Sequence, residues 1–272
     1  MKVVAIVQAR MGSTRLPNKV MKPIGGVPLI ELLLSRLARS NEIDQIVVAT
    51  SVDQKNTRLV NHVRALGYAC EQGSENNVLE RYVNAAKVHN ADVVVRITGD
   101  CPLVDSDLVD ECIRHFHLED VDYFSNTNPA TYPDGLDVEV VTRLSLEKAL
   151  RESKKPYDLE HVTPYVRETG AFTTGCLVHS EDLSACRWTV DESVDFEVAE
   201  NVFRHFSPNL YFSWHEVLEL QRIRPDFFMA NQGIVRNEGA IMGTGQKLWK
   251  RAKQVIPGGN MLLSKRPEMF LP

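Results

Sequence analysis

A doubly wound α/β domain with a mostly parallel sheet is the fold this sequence predicts, on three observations. Short apolar runs recur at residues 3–7, 46–49, 93–97 and 138–141 and read as strands. Between them lie longer segments whose apolar residues repeat at helical spacing. The 272 residues, 43% hydrophobic and 25% charged, suffice for one large core or a domain with an appendage.

Taken in order, the run at 3–7 looks buried and breaks abruptly into QARMGSTRLPNK. The first helix begins near Pro28, a favoured first-turn residue, with an apolar face of Leu29, Ile30, Leu33, Leu34 and Leu37. After the second strand a helix is expected over about 56–66, and a third over 78–88 through Leu79, Tyr82, Val83 and Ala86. The strand at 93–97 leads to Asp100, after which Asp105 or Ser106 can cap a helix carrying Leu108, Val109, Cys112 and Ile113.

Pro133-Asp134-Gly135 is a turn by its chemistry, and 136–141 an alternating strand that points Asp137 and Glu139 to one face. EHVTPYVRE reads as a helix with His161 and Tyr165 one turn apart. A strand-like run at 187–190 ends at Asp191, and Ser193 heads a helix with Phe196, Ala199, Val202 and Phe203 on one side. Ser213 and Glu216 form the S-x-x-E capping box of a final helix. The compact pattern ends near Pro225, so the expected division is a domain over 1–225, a glycine-punctuated linker over 226–245 and a helical tail over 246–272.

A formal net charge of −5 with no basic stripe argues against general nucleic-acid binding, so any handling of anions must be local. Neither a membrane-length apolar stretch nor a secretion signal is visible, which makes the cytoplasm the expected location. Cys70, Cys101, Cys112, Cys176 and Cys186 form no C-x-x-C pair, and a disulfide framework or structural zinc is not expected.

The local anion site is the stretch after the first strand. Gly12 lets backbone approach a phosphate, Ser13 and Thr14 can donate to its oxygens, Arg10 and Arg15 can grip it in a planar fork, and Lys19 adds a compact charge. The stretch is not a Walker loop, and Gly243-Thr244-Gly245 lacks the third glycine of a dinucleotide fingerprint. Asp100 follows a buried strand at the same edge and suits Mg²⁺, which takes a few carboxylates with phosphate and water; Asp191 repeats that placement.

QARMGSTRLPNK resembles the signature of the cytidylyltransferases that activate acidic sugars, the acylneuraminate and 3-deoxy-octulosonate enzymes among them, and is nearest the spore-coat polysaccharide branch. The likeness continues in order through GSENNVLERY, VRITGDCPLVD, YPDGLDVEVV, EHVTPYVRE and RWTVDESVDFE, over about the first 220 residues. The resemblance implies the Rossmann-like GT-A fold of nucleotide-diphospho-sugar transferases. It implies transfer of CMP from CTP to a sugar with release of pyrophosphate, in a magnesium-dependent reaction serving surface or spore-coat polysaccharide synthesis.

Carried onto this sequence, the resemblance gives Gln8, Ala9, Arg10, Gly12, Ser13, Lys19 and Ser74 to the nucleotide. Asp100 and Asp191 go to the metal, and Arg10, Arg15, Lys19 and Asp100 to catalysis. Asp134, Asp137, Glu139 and His161 are its acceptor-side candidates. A sugar carboxylate would call for an arginine, and Arg143, Arg167 and Arg187 are the choices. A homodimer is implied by the same likeness.

Two rival readings remain open from sequence. Asp105-Ser106-Asp107 has the form of the D-x-D metal motif of a nucleotide-sugar-dependent glycosyltransferase, although acids at a helix start also favour its dipole. The tail from Gln246 resembles the opening of class III pyridoxal-phosphate aminotransferases, which would make the domain a fused or docking partner of such an enzyme.

Overall fold

The computed structural model describes residues 1–234 and Arg236. The chain divides into two compact units, Met1–Gln232 and Gly233–Pro272. The expected tail at 246–272 and half of the expected linker lie outside the described residues.

In chain order, β1 (Val3–Gln8) is followed by a 3-10 turn at Lys19–Met21, a small hairpin of β2 (Pro23–Ile24) and β3 (Val27–Pro28), and α1 (Leu29–Leu37). Next come β4 (Gln45–Ser51), α2 (Thr57–Ala65), β5 (Ala69–Gly73), α3 (Val78–Val88) and β6 (Val93–Thr98). The middle holds α4 (Ser106–Glu119), β7 (Tyr123–Ser125), β8 (Glu139–Thr142) and α5 (Arg143–Glu152). Then follow α6 (Pro156–His161), α7 (Pro164–Glu168), β9 (Thr174–Cys176), α8 (Ser193–Phe206) and α9 (Trp214–Ile223).

The main sheet has the order β5-β4-β1-β6-β8-β7-β9. β5, β4, β1 and β6 are mutually parallel, β8 runs against both of its neighbours, and β7 and β9 are parallel to each other. Alternation along β1 explains the layering. Val3, Ala5 and Val7 face a core with Leu33 and Leu37 of α1, Leu59 of α2 and Ile113 of α4. Val4 and Ile6 face the other side, against Leu79 and Val83 of α3 and Leu146 of α5. Each such side chain contributes roughly 1.5–3 kcal/mol by burial, which fixes the strand ends where the site forms. A third core joins Leu29 and Leu32 to Trp188, Phe203 and Trp214, and ties α8 and α9 to α1.

Several expectations are corrected. The strand expected over 136–141 is shorter and antiparallel, beginning at Glu139. The run at 187–190 is not a ladder strand; it makes a single bridge, Arg187 to Asp134. EHVTPYVRE is broken between α6 and α7, with Val162 at φ 73°. Pro164 lacks the N–H a continuous helix needs and begins a new one, so His161 and Tyr165 sit on separate helices. Glu192, rather than Ser193, caps α8, in a reciprocal box with Asp195. Residues 226–231, expected as linker, belong to a 3-10 turn, Pro225–Asn231, whose Phe228 is buried, and the first unit runs on to Gln232. Among the described residues no helix is long and apolar enough to cross a membrane.

Candidate active site

The carboxyl ends of β1, β4 and β6 come together because Gln8 pairs with both Ala49 and Thr98. The opening loop leaves that edge under backbone control. Asn56, buried, accepts from the Met11 N–H at 2.8 Å and donates to Ser51 Oγ at 2.7 Å. Asn18 closes the loop in the left-handed region, φ 59°, which asparagine tolerates, and the following turn carries Lys19 inward. Arg10, Gly12 and Arg15 stay exposed, and Ser13 is half-buried with its Oγ 3.4 Å from the Leu16 N–H.

Gly99 sets the next approach. A Cβ there would stand 2.8 Å from the Gln8 carbonyl oxygen and 2.9 Å from the Ala9 Cβ, so only glycine lets the end of β6 close on the end of β1. Asp100 follows at once. Its Oδ2 is 2.8 Å from Lys19 Nζ, and the same ammonium is 2.8 Å from Asp191 Oδ1 and donates to the Val190 carbonyl at 2.9 Å. The Val190 N–H in turn donates to the Asp100 carbonyl at 2.8 Å. Acids 91 positions apart thus converge on one cation, the Lys19 ammonium.

Burial alone would lower the Lys19 pKa, but the charges and hydrogen bonds of Asp100 and Asp191 outweigh it and hold the ammonium above its ordinary value. Burial would raise Asp100, yet Lys19 and hydrogen bonding from Thr98 bring it down to about 2. Arg15 reaches Asp191 Oδ2 at 2.9 Å and Glu192 at 3.9 Å, so Arg15 and Lys19 meet the same carboxylate.

The Lys19 ammonium serves as a stand-in cation in testing the pair for a divalent ion. Two carboxylates already share one positive centre, and among the described residues no group of three or more His, Cys, Asp or Glu could hold a metal. Such a donor set suits Mg²⁺, which fills its remaining positions with water and phosphate oxygens.

Asp191 is anchored from below. Arg187 bonds Asp195 through Nε and Nη2, each at 2.9 Å, reaches Asp134 at 3.0 Å and comes within 3.5 Å of Asp191. Asp195 also accepts the backbone N–H of Asp191 at 2.9 Å and of Glu192 at 2.8 Å. Sequence reading missed Asp195 and Asn56. The signal available for Asp195 was the Arg187, Asp191, Asp195 spacing, one residue every four at a helix start.

On the other side of the loop, Arg10 approaches Glu75 at 3.7 Å, linking it to the segment after β5. Ser74 heads that segment: its Oγ accepts from the Asn77 N–H at 3.0 Å and its carbonyl from Arg81 at 2.7 Å. Gln8 Oε1 is buried and has no hydrogen-bond partner among the described residues.

The acceptor-side candidates are placed less openly. Asp134 is buried against Arg187 rather than presented to a ligand. Its turn fits only with glycine, since Gly135 has φ 111° and a Cβ there would lie 2.6 Å from the Thr189 nitrogen. Glu139 is 3% exposed, not on an open face: Arg96 bonds one oxygen, while Tyr123 and Thr163 each donate to the other at 2.7 Å. Burial would raise its pKa; Arg96 and these donors lower it instead.

Asp137 is half-buried, and together with Asp100 and Asp134 it adds to the burial that pushes the Cys101 thiol well above its usual value. His161 packs against Tyr157, with ring centroids 4.6 Å apart and the planes tilted by 51°. Of the three arginines, Arg143 is held by the Ala91 carbonyl and Glu147 near the amino end of β6, the wrong edge, and Arg187 is taken by its acids. Arg167 lies 4.0 Å from Glu139, with a side chain one-quarter exposed and Nη2 3.5 Å from the Tyr157 hydroxyl.

The D-x-D reading is not supported by the geometry. Asp105 caps α4 by accepting from the Leu108 N–H at 3.0 Å, and its other oxygen accepts from the Trp214 N–H at 2.9 Å. Both oxygens are committed to backbone.

The class this fold and edge define is that of α/β nucleotidyltransferases, whose ligands collect beyond the carboxyl ends of the strands. The cytidylyltransferase family model matches residues 4–220, and the chain belongs to that family. It is 31% identical over 233 residues to the spore coat polysaccharide biosynthesis protein SpsF of Bacillus subtilis, covering 82% of this chain and 95% of that one. A 3-deoxy-manno-octulosonate cytidylyltransferase of Geobacter sulfurreducens is 33% identical over 115 residues, 42% of this chain and 44% of its own. The solved structure of a cytidylyltransferase from Leptospira borgpetersenii superposes with a TM-score of 0.82 at 33% identity, covering 87% of this chain and all of that one.

Proposed function

We propose that the protein transfers CMP from CTP to a sugar acid, with release of pyrophosphate and with Mg²⁺ bound between Asp100 and Asp191. The observation that carries this reading is the convergence of Asp100, Asp191 and Lys19 beside the exposed arginines of the opening loop. In the reaction a sugar hydroxyl oxygen bonds to the α-phosphorus as the bond to pyrophosphate breaks. The divalent ion supplies charge neutralisation at the phosphates. Lys19 turns from the carboxylates to the phosphate oxygens, Arg10 and Arg15 hold the leaving pyrophosphate, and the rate comes from alignment and charge compensation.

Two features support the finer assignments. The unpartnered Gln8 Oε1 is an acceptor that the cytosine amino group satisfies and a uracil carbonyl does not. Arg167, beside Tyr157 and His161, is the arginine for the sugar carboxylate, and Asp137 takes the hydrogen bond of the attacking hydroxyl. Pyrophosphate release measured with each nucleoside triphosphate, Mg²⁺ and a panel of sugar acids tests the reading. Release is expected with CTP and at least one sugar acid; release with another triphosphate in preference to CTP would contradict it.

A further inference from the structure

The loop bearing Asp191 is held by a residue from the end of the domain. Asn231 is 3% exposed, and its side-chain amide donates to Asp195 Oδ1 and to the Arg187 carbonyl, both at 3.0 Å. Asp195, with a fully buried side chain, gathers five donors: Arg187 Nε and Nη2, the Asn231 amide, and the N–H groups of Asp191 and Glu192. A carboxylate offers about four lone-pair sites, so its orientation is fully determined by these partners.

Charge adds to the constraint. Arg187 faces Asp134, Asp195 and Asp191, so one guanidinium serves three acids and the neutral amide of Asn231 supplies the extra donor without further charge. Asn231 lies on the Pro225–Asn231 turn, which packs beside α8 through Phe228 and through the bond of Asn201 Nδ2 to the Phe227 carbonyl at 3.2 Å.

We infer that Asn231 is a positioning residue for the metal aspartate: acting through Asp195 and Arg187, it fixes Asp191 at the distance from Asp100 that one divalent cation requires. The inference rests on the proposed function, because it takes Asp191 to be a metal ligand. It also makes the turn after α9 part of the working site, although that turn touches neither Asp100 nor the opening loop in any hydrogen bond described above. Partners that orient metal ligands from behind typically change metal affinity or activity about tenfold to a hundredfold when removed.

The test uses the full chain with CTP present and no sugar, and reads Mn²⁺ binding by electron paramagnetic resonance. Asn231→Ala is expected to weaken Mn²⁺ about tenfold or more. Its turnover recovers as metal is raised, with KM for CTP at saturating metal unchanged. Asn231→Ser, which keeps a donor, falls between wild type and Asn231→Ala, and stands in if the alanine variant does not fold.

Wild-type Mn²⁺ affinity in Asn231→Ala, or turnover lowered by the same factor at every metal concentration, would overturn the inference. Asp191→Asn separates the two levels. If it loses tight Mn²⁺ while Asn231→Ala does not, only the positioning role fails; if it keeps tight Mn²⁺, the functional reading fails and this inference with it.

Discussion

The edge proposed for the nucleotide and the region proposed for the acceptor use the same residue types in opposite ways. At the nucleotide end Arg10 and Arg15 remain exposed, and Asp191 is shared among Lys19, Arg15 and Arg187. At the acceptor end Glu139 and Asp134 are each closed against a buried arginine. The two sets of carboxylates differ in one observed respect: Asp191 has an exposed counter-ion in Arg15, whereas Glu139 and Asp134 meet arginines that are themselves buried or nearly so.

That contrast is broken most forcefully at Glu139. Replacing it with Gln leaves Arg96 charged and buried without its partner, and breaking such a pair costs about 3–5 kcal/mol. Denaturant unfolding is expected to show that loss, with KM for CTP unchanged in the folded fraction. A stable Glu139→Gln protein with poor sugar binding would instead move Glu139 to the functional side. Lys19→Ala should lower kcat/KM for CTP by roughly a hundredfold to a thousandfold, the range for a lost electrostatic donor; steady-state pyrophosphate release measures it.

Acid sharpens the comparison further. Because Asp100 titrates near 2 in the folded protein, its contribution is fully present above roughly pH 4 and is lost as pH falls through 2. The stability difference between wild type and Asp100→Asn should be level above roughly pH 4 and shrink as pH falls below it in pH-dependent melts. Gln8→Leu should narrow the preference for CTP over UTP about tenfold, read as the ratio of kcat/KM values. Smallest in stability is Arg15→Ala: its exposed pair with Asp191 contributes under about 1 kcal/mol, so melting barely moves while KM for CTP rises.

Much of the fold was legible because the central strands are buried on both faces and the long helices carry a clean apolar stripe. The helix at Val78–Val88 and the Ser213–Glu216 box fall where periodicity and capping chemistry put them. β5, β7 and β9 were not, being short or of mixed polarity, with pairings that only the sheet supplies. At the site, Asp100 was legible from the end of a buried parallel strand, whereas Asp191 follows a run that makes only the Arg187–Asp134 bridge and Lys19 sits on the turn that closes the opening loop. Asp134 and Glu139 were misplaced because sequence shows the acid and not the distant arginine it meets; Arg187 is 53 positions from Asp134. Asn231 was read as linker since Gly233 follows it, and its two bonds reach back 36 and 44 positions.

Anomalous diffraction from a crystal of the protein with CTP and Mn²⁺ tests the central claim most directly. One manganese peak in contact with carboxylate oxygens of both Asp100 and Asp191, with Lys19 Nζ moved onto a phosphate oxygen, is the result expected. A peak that touches neither aspartate, or a triphosphate bound away from the loop of Arg10 and Arg15, would contradict it.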